Sequence, residues 1–213
     1  MVNYPLIKAV LFDFDGTLTK PGVLDFPAFK RLLSCPSHRP VLEFIQEIPD
    51  DLDRERAILL LDDFEINAAE KSGPNLGAED IIRYLRDKEL LLGIISRNSL
   101  KSILRALENF QTVQALDFEI IISRDDPIKP KPSVDGIFLA AQRLKVRTEE
   151  ILVVGDYVFD IEAGFKAGAR TAYLNNLNRP LPEELQSDFI ISNLGELKEI
   201  IPLLSIPVDF IPQ

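Results

Sequence analysis

The chain has 213 residues and a formal net charge of −10, with one cysteine, one histidine and no tryptophan. A chain of this length buries about 70% of its unfolded surface and so has a full core, while its acidic balance argues against a broad footprint for nucleic acid or an anionic membrane. Cys35 alone excludes an internal disulfide and a multi-cysteine zinc site; His38 alone excludes centres built on two histidines and, without a Gly-x-Ser-x-Gly elbow, a serine triad.

An apolar run from Leu6 to Phe12 predicts a buried strand ending in two carboxylates, Asp13 and Asp15, followed by Gly16 and Thr17. Asp and Gly are also ordinary turn formers, so this stretch alone is equally readable as a plain strand end. Lys20-Pro21-Gly22 then breaks the pattern, as a hinge does. Asp25 can cap a short helix to about Leu33 with Pro27 in its first turn. Ser34 to Arg39 is a loop carrying Cys35, His38 and Arg39, and Pro40 opens a second helix. A third helix runs from Asp51 to about Ser72 with Ala57, Leu60, Leu61, Phe64 and Ala68 on one face. Asp51 and Asp53 stand near its start and Lys71 near its end, and Gly73-Pro74 stops it. Its acidic runs, Asp50 to Glu55 and Asp62 to Glu65, are expected on solvated faces. Residues 19–75 are therefore expected to be helical, with no strand.

Strands and helices then alternate. The pattern predicts helices over Ala78 to Lys88, Ser99 to Asn109, Val134 to Leu144 and Asp160 to Ala167. Strands are expected over Leu90 to Ser96, Phe118 to Ser123, Ile151 to Gly155 and Arg170 to Leu174. A last strand, Phe189 to Ile191, a helix from Leu194 to about Ile201 and a proline-punctuated tail close the chain. The strands are continuously apolar, the pattern of a parallel sheet covered on both faces. The expected fold class is α/β, a Rossmann-like and mostly parallel sheet with helices on both faces. Residues 1–18 and 76–213 would form this core, with a small all-helical cap, residues 19–75, inserted after the first strand.

Open parallel sheets bind ligands at the carboxyl ends of their strands. There the first strand delivers Asp13 and Asp15, and the second Ser96-Arg97-Asn98, a hydroxyl at the start of a helix where free N–H groups favour an anion; Ser96 is equally readable as a helix cap. After the third strand, Lys129-Pro130-Lys131-Pro132 is expected to hold its lysines extended with one facing the site and the other, on the opposite side, facing water. The fourth strand ends in Gly155-Asp156, with Asp160 beyond. Carboxylates of Asp13, Asp15, Asp156 and Asp160 on one edge need a counter-charge. An all-oxygen set suits Mg2+, which pairs readily with phosphate. A cation, a lysine, a hydroxyl and a helix start around one point describe a phosphoryl group, and with no histidine near the motifs the nucleophile is expected to be a carboxylate.

In these residues the chain resembles the haloacid dehalogenase superfamily, in its phosphatase branch with a phosphoglycolate phosphatase-like helical cap, over nearly its full length. Asp13-x-Asp15-Gly16-Thr17 matches the first motif, Ser96 the second, Lys129 in Lys-Pro-x-Pro the third, and Gly155-Asp156-x-x-x-Asp160 the fourth. The resemblance implies that Asp13 attacks phosphorus and that Asp15 protonates the leaving oxygen and then activates water. It implies Mg2+ on Asp13, the Asp15 backbone carbonyl and Asp156, with Asp160 at one remove, and phosphoryl oxygens held by Ser96 and Lys129. Gly16, Thr17, Arg97 and Asn98 are counted with the phosphate-binding set. Lys20, His38 and Arg39 are candidates for recognising the rest of the substrate.

The expected function is a Mg2+-dependent phosphatase acting on a small phosphorylated metabolite through an aspartyl phosphate. A phosphomutase shares all four motifs. A receiver-type phosphoacceptor module would carry its acidic pair and its phosphorylated aspartate on separate strands, and a dehalogenase does not need Asp15. No apolar run approaches the length of a membrane span and the start of the chain lacks a signal-peptide pattern. A cytoplasmic protein, monomeric and without nucleic-acid or membrane partners, is expected.

Overall fold

A computed structural model describes residues 6–204. The proline-punctuated tail expected at the end of the chain lies outside them. Six strands, β1 (Ala9–Phe12), β2 (Leu91–Ile95), β3 (Ile120–Ile122), β4 (Ile151–Gly155), β5 (Arg170–Leu174) and β6 (Phe189–Ile191), form one sheet in the order β3-β2-β1-β4-β5-β6. Every pairing is parallel. The central strand is the first in the chain. Its register places Phe12 beside both Ile94 and Val154, so three strand ends lie side by side.

Side-chain alternation along β1 accounts for the two-sided core. Val10 and Phe12 point to one face, with Leu92, Ile94, Leu152 and Val154. That face is covered by α4 (Ala78–Asp87), α5 (Leu100–Leu107) and α8 (Leu197–Leu204). Ala9 and Leu11 point to the other, with Ile120, Ile122, Ile151 and Val153. That face is covered by α6 (Asp135–Leu144) and α7 (Val158–Lys166). β1 to β4, buried on both faces, carry no polar side chain, and this is why they read as continuously apolar; β5 opens on Arg170 and Thr171. The expected elements are all present, with ends within a few residues of the expected ones. The first strand is shorter than its apolar run, since Leu6 is exposed.

Between β1 and α4 lie α1 (Phe26–Leu32), α2 (Val41–Gln46) and α3 (Asp51–Ala69). Asp25 caps α1 by accepting from the Ala28 N–H at 3.0 Å, and Asp50 caps α3 by accepting from Asp53 at 2.9 Å. The three helices share a cluster of their own: Phe29, Val41, Leu42, Ile45, Ala57 and Leu61. Phe29 stacks on Phe64 with ring centroids 4.6 Å apart.

Two expectations for this stretch are corrected. Leu60 is 43% exposed; the buried stripe of α3 runs Ala57, Leu61, Glu65, Ala68, and Leu60 falls to one side of it. Glu65 is therefore buried, at 2% exposure, and Asp62 pairs with Arg124, so the run from Asp62 to Glu65 is not a solvated face. The stretch is helical without a strand, as expected, apart from one isolated bridge. Thr19 and Pro74 form an isolated antiparallel bridge, and the Lys20 N–H donates to the Gly73 carbonyl at 3.0 Å. The bridge closes the neck where the chain leaves and re-enters the sheet edge.

Candidate active site

Asp13 follows the last residue of β1, and its N–H donates to Val154 O at 2.8 Å, extending the pairing with β4 by one residue. The chain then turns at Gly16, whose φ of +83° is a left-handed value that side chains rarely adopt. Space requires glycine there as well: a Cβ would stand 2.3 Å from Asp156 Oδ2. The turn is tied from outside. Asn75 Nδ2 donates to Gly16 O at 3.2 Å and to Thr17 O at 2.9 Å, and Asn176 Nδ2 donates to Gly16 O at 2.7 Å. The Thr17 hydroxyl, fully buried, donates to Asp156 Oδ1 at 3.4 Å. Gly16 and Thr17 thus shape the seat of Asp156.

Lys131 is the lysine of the site. It is 5% exposed, and its ammonium donates to Asp13 Oδ1 at 2.6 Å and to Ile95 O at 2.5 Å. It also stands 2.6 Å from Asp160 Oδ1. Burial alone would lower this ammonium, but the carboxylates of Asp13 and Asp160 more than offset it and hold it above the usual lysine value. Lys129, expected in that place, is exposed, and its backbone N–H donates to Asp135 Oδ2 at 3.2 Å. The two lysines do differ in facing, although an extended segment would put residues two apart on one side; the chain turns here, with the Ser133 N–H donating to Pro130 O at 3.0 Å. Which one faces inward is set by the turn after β3, where Asp126 Oδ2 accepts from Ser123 N at 2.9 Å and Ile128 packs against the core.

Asp160 is 2% exposed and accepts from the Tyr157 N–H at 3.1 Å as well as from Lys131. It fits against the end of β4 because residue 155 is glycine: a Cβ there would lie 2.3 Å from the Asp160 side chain. Ser96 is buried, and its Oγ accepts from the Asn98 N–H at 3.1 Å. The N-cap of α5 is Ser99, accepting from Ser102 N at 3.4 Å. The Asn98 amide donates to Asp15 Oδ2. Burial pushes the Asp15 carboxyl well above the usual carboxylate range; Asp13 and Glu65 add to the shift, and Lys131 and Asn98 oppose it.

Ligand atoms of Asp13, Asp156 and Asp160 all lie within 4.8 Å of one another. Burial, then Asp13 and Asp160, push the Asp156 carboxyl up to about 8. Crowded carboxylates with oxygen-only donors fit a hard divalent cation of the Mg2+ type. Asp160 is committed to Lys131 and Tyr157, which leaves Asp13 and Asp156 as the side chains best placed to hold it.

Other expected residues stand elsewhere. The Arg97 fork donates to Glu43 on α2 at 2.6 and 2.9 Å and to the Lys131 carbonyl, and lies 5.2 Å over the Phe159 ring. Its guanidinium is thus committed to these partners, and the expectation that it binds phosphate is corrected. Lys20 and His38 are exposed. Arg39 is paired with Glu47 at 2.5 Å and lies 5.9 Å over Phe44. Among the described residues no contact joins these three to the carboxylates. A cavity of about 60 Å³ does bring the insertion to the site: Leu42 and Gln46 of α2 face Ser96, Ile128 and Lys131 across it.

Sequence reasoning missed Glu43, Glu65 and Arg124. Glu65 alone left a signal, standing four residues after Leu61 on the buried stripe of α3. The arginine partners of both glutamates are distant in sequence and left none.

A parallel sheet gathers acidic residues and, among the described residues, one buried lysine at the carboxyl ends of its strands, beside a helical insertion. The chain belongs to the haloacid dehalogenase-like hydrolases, whose family model matches residues 10–174. It is 31% identical over 201 residues to an uncharacterised hydrolase of Saccharomyces cerevisiae, covering 93% of this chain and 91% of that one. It is 30% identical over 218 residues to the pyrophosphatase PpaX of Listeria monocytogenes, covering 92% and 96% of the two chains. A hydrolase from Pseudomonas syringae has the same fold, with a TM-score of 0.75 at 19% identity over 95% of this chain and all of that one.

Proposed function

We propose that this chain is a Mg2+-dependent phosphatase that hydrolyses a small phosphate monoester through an aspartyl phosphate on Asp13. The observation that carries the reading is the separation of the two neighbouring carboxylates: Asp13 is held by the Lys131 ammonium, and Asp15 by the Asn98 amide. One environment suits a nucleophile and the other a group that gives and takes a proton.

In the first step the Asp13 carboxylate attacks phosphorus, the bond to the leaving oxygen breaks, and Asp15 gives that oxygen a proton. In the second, Asp15 takes a proton from water, which attacks the same phosphorus; phosphate departs and Asp13 returns as carboxylate. Lys131 and the Ser96 hydroxyl hold the phosphoryl oxygens, and Asp160 holds Lys131. Asp13, Asp156 and the Asp15 carbonyl would hold Mg2+, which when bound neutralises charge on the phosphoryl oxygens. Preorganised charge of this kind is the main source of rate in phosphoryl transfer.

Residues 1–18 with 76–213 are read as the core and residues 19–75 as a small cap. The separate apolar cluster of α1–α3 and the bridge at the neck support that division. A small phosphorylated metabolite is read as the substrate; the cavity of about 60 Å³ under α2, lined by Ser96 and Lys131, has room for little more than a phosphoryl group. A monomeric, cytoplasmic protein is the corresponding reading, and no helix among the described residues is long and apolar enough to cross a membrane. The test is phosphate release with Mg2+ over a panel of phosphoglycolate, hexose phosphates, nucleoside monophosphates and, because the Listeria relative is a pyrophosphatase, inorganic pyrophosphate. Release from a monoester is expected. Release from pyrophosphate alone, or transfer within a sugar phosphate without release, would overturn the monoester reading.

A further inference from the structure

The four sequence motifs do not account for a second network beneath the site. We propose that Glu65, on the insertion helix α3, is a positioning residue: with Arg124 it holds the backbone of Arg97, Asn98 and Ser99, and through that turn sets where the Ser96 hydroxyl and the Asn98–Asp15 pair stand. The inference rests on the phosphatase reading and adds to it a residue that no motif contains.

The contacts are specific. Glu65 Oε2 accepts from Ser99 N at 3.0 Å, Ser99 Oγ at 3.2 Å and Ser102 Oγ at 3.4 Å. It also accepts from Arg124 Nη2 at 3.1 Å, while Oε1 takes the other arginine nitrogen. Arg124 in turn donates from its backbone to Asn98 O at 2.8 Å and from Nη1 to Arg97 O at 3.2 Å. Three consecutive residues after Ser96 are thereby each tied by a main-chain group. The tied turn is the one whose Ser96 Oγ accepts from Asn98 N and whose Asn98 amide reaches Asp15.

A buried carboxylate is costly unless paired, and even a paired one contributes little more to stability than apolar packing of the same volume. Burial raises the Glu65 carboxyl, against the pull of Arg124 and Ser99. What the pair does supply is direction. It reaches the start of α5, where a negative group is favoured by the helix dipole, and fixes the turn there by groups at both ends. The helix bearing Glu65 belongs to the insertion, so α3 serves the catalytic framework as well as the cap.

The test compares Glu65→Gln with Leu61→Ala, a cavity in the insertion's own cluster that removes no contact to the turn. With para-nitrophenyl phosphate and Mg2+, Glu65→Gln is expected to lower kcat about 10- to 100-fold with KM changed less than about 3-fold, as a misplaced catalytic turn does. Leu61→Ala should lower the melting temperature with kcat within about 3-fold of the wild type. Glu65→Gln combined with Arg124→Met removes the buried arginine that Glu65→Gln leaves with Asp62 as its one carboxylate partner; it is expected to recover part of the melting temperature but not kcat. Amide hydrogen exchange at residues 96–99, which needs no substrate, should quicken in Glu65→Gln and stay unchanged in Leu61→Ala. Wild-type exchange at those residues overturns the proposal, as does equal loss of kcat in the two single variants or recovery of kcat along with melting temperature. Failure of the phosphatase reading looks different: the wild type itself releases no phosphate, while the exchange result still decides the placement.

Discussion

The ammonium of Lys131 lies 2.6 Å from Asp13 Oδ1, joining the loop after β3 to the end of β1 across the mouth of the site. Lys129, two residues earlier and in the same proline-flanked setting, is exposed. Lys131→Ala is therefore expected to lower turnover at least about 100-fold, the scale on which one preorganised donor to a transition state is felt. Lys129→Ala should stay within about 3-fold of the wild type, since surface changes away from the chemistry are small. Steady-state kinetics of the two variants checks this, and the reverse order would reassign the lysine.

Asp13→Asn removes the attacking oxygen anion while keeping the size of the side chain. Turnover is expected to vanish, together with any acid-stable, hydroxylamine-sensitive phosphoprotein trapped from the wild type. Retained turnover in the variant would remove Asp13 from the nucleophile's place.

The crowding of Asp13, Asp156 and Asp160 implies dependence on a divalent cation. Treatment with EDTA is expected to stop phosphate release and added Mg2+ to restore it. Asp156→Asn should raise the Mg2+ concentration needed for half-maximal activity. Full activity in EDTA would contradict the phosphoryl mechanism as drawn.

Arg97 joins Glu43 of α2 to the Lys131 carbonyl. Lysine cannot reproduce a two-pronged guanidinium bond to a carboxylate and a carbonyl together. Arg97→Lys and Glu43→Gln are therefore each expected to raise KM severalfold and to expose the neck around residues 20–24 to proteolysis. Their double variant should be no worse than the more affected single one, because both remove the same link. Additive losses would mean that the two residues act separately.

A stability prediction concerns Glu150, remote from the site. The bond from Lys8 at 2.9 Å, followed by the Arg147 N–H, holds its carboxyl down at about 2. The pair therefore stabilises the fold above the carboxyl's unfolded value, and that contribution is lost as pH falls toward about 2. Lys8 is 57% exposed and water screens the pair, so about 1 kcal/mol is expected. Denaturant unfolding should show Glu150→Gln less stable than the wild type near neutral pH, with the gap closing in acid. A gap that persists in acid would show that it does not come from ionisation.

Much of this molecule was legible in its residues. Continuous apolar runs marked the strands because both sheet faces are covered, and the acidic residues after β1 and β4 meet because those strands are neighbours in register. The lysine was legible only as a pair. An extended run would put Lys129 and Lys131, two residues apart, on one side; their opposite exposure comes from the turn that the Ser133 N–H closes on Pro130 O at 3.0 Å. Arg97 was misread for a related reason: a cation beside Ser96 suggests an anion in the site, and only the packing of α2 reveals that the anion is Glu43.

By itself the sequence determined the α/β alternation, the helical insertion and the chemical types gathered at the strand ends, because these follow from side-chain period, turn chemistry and residue identity. Tertiary structure decided which lysine enters, why Glu65 is buried and what Arg97 and Arg124 hold. Those are pairings between residues far apart in the chain, and they exist only once two packed faces have brought a charge and its counter-charge out of water together.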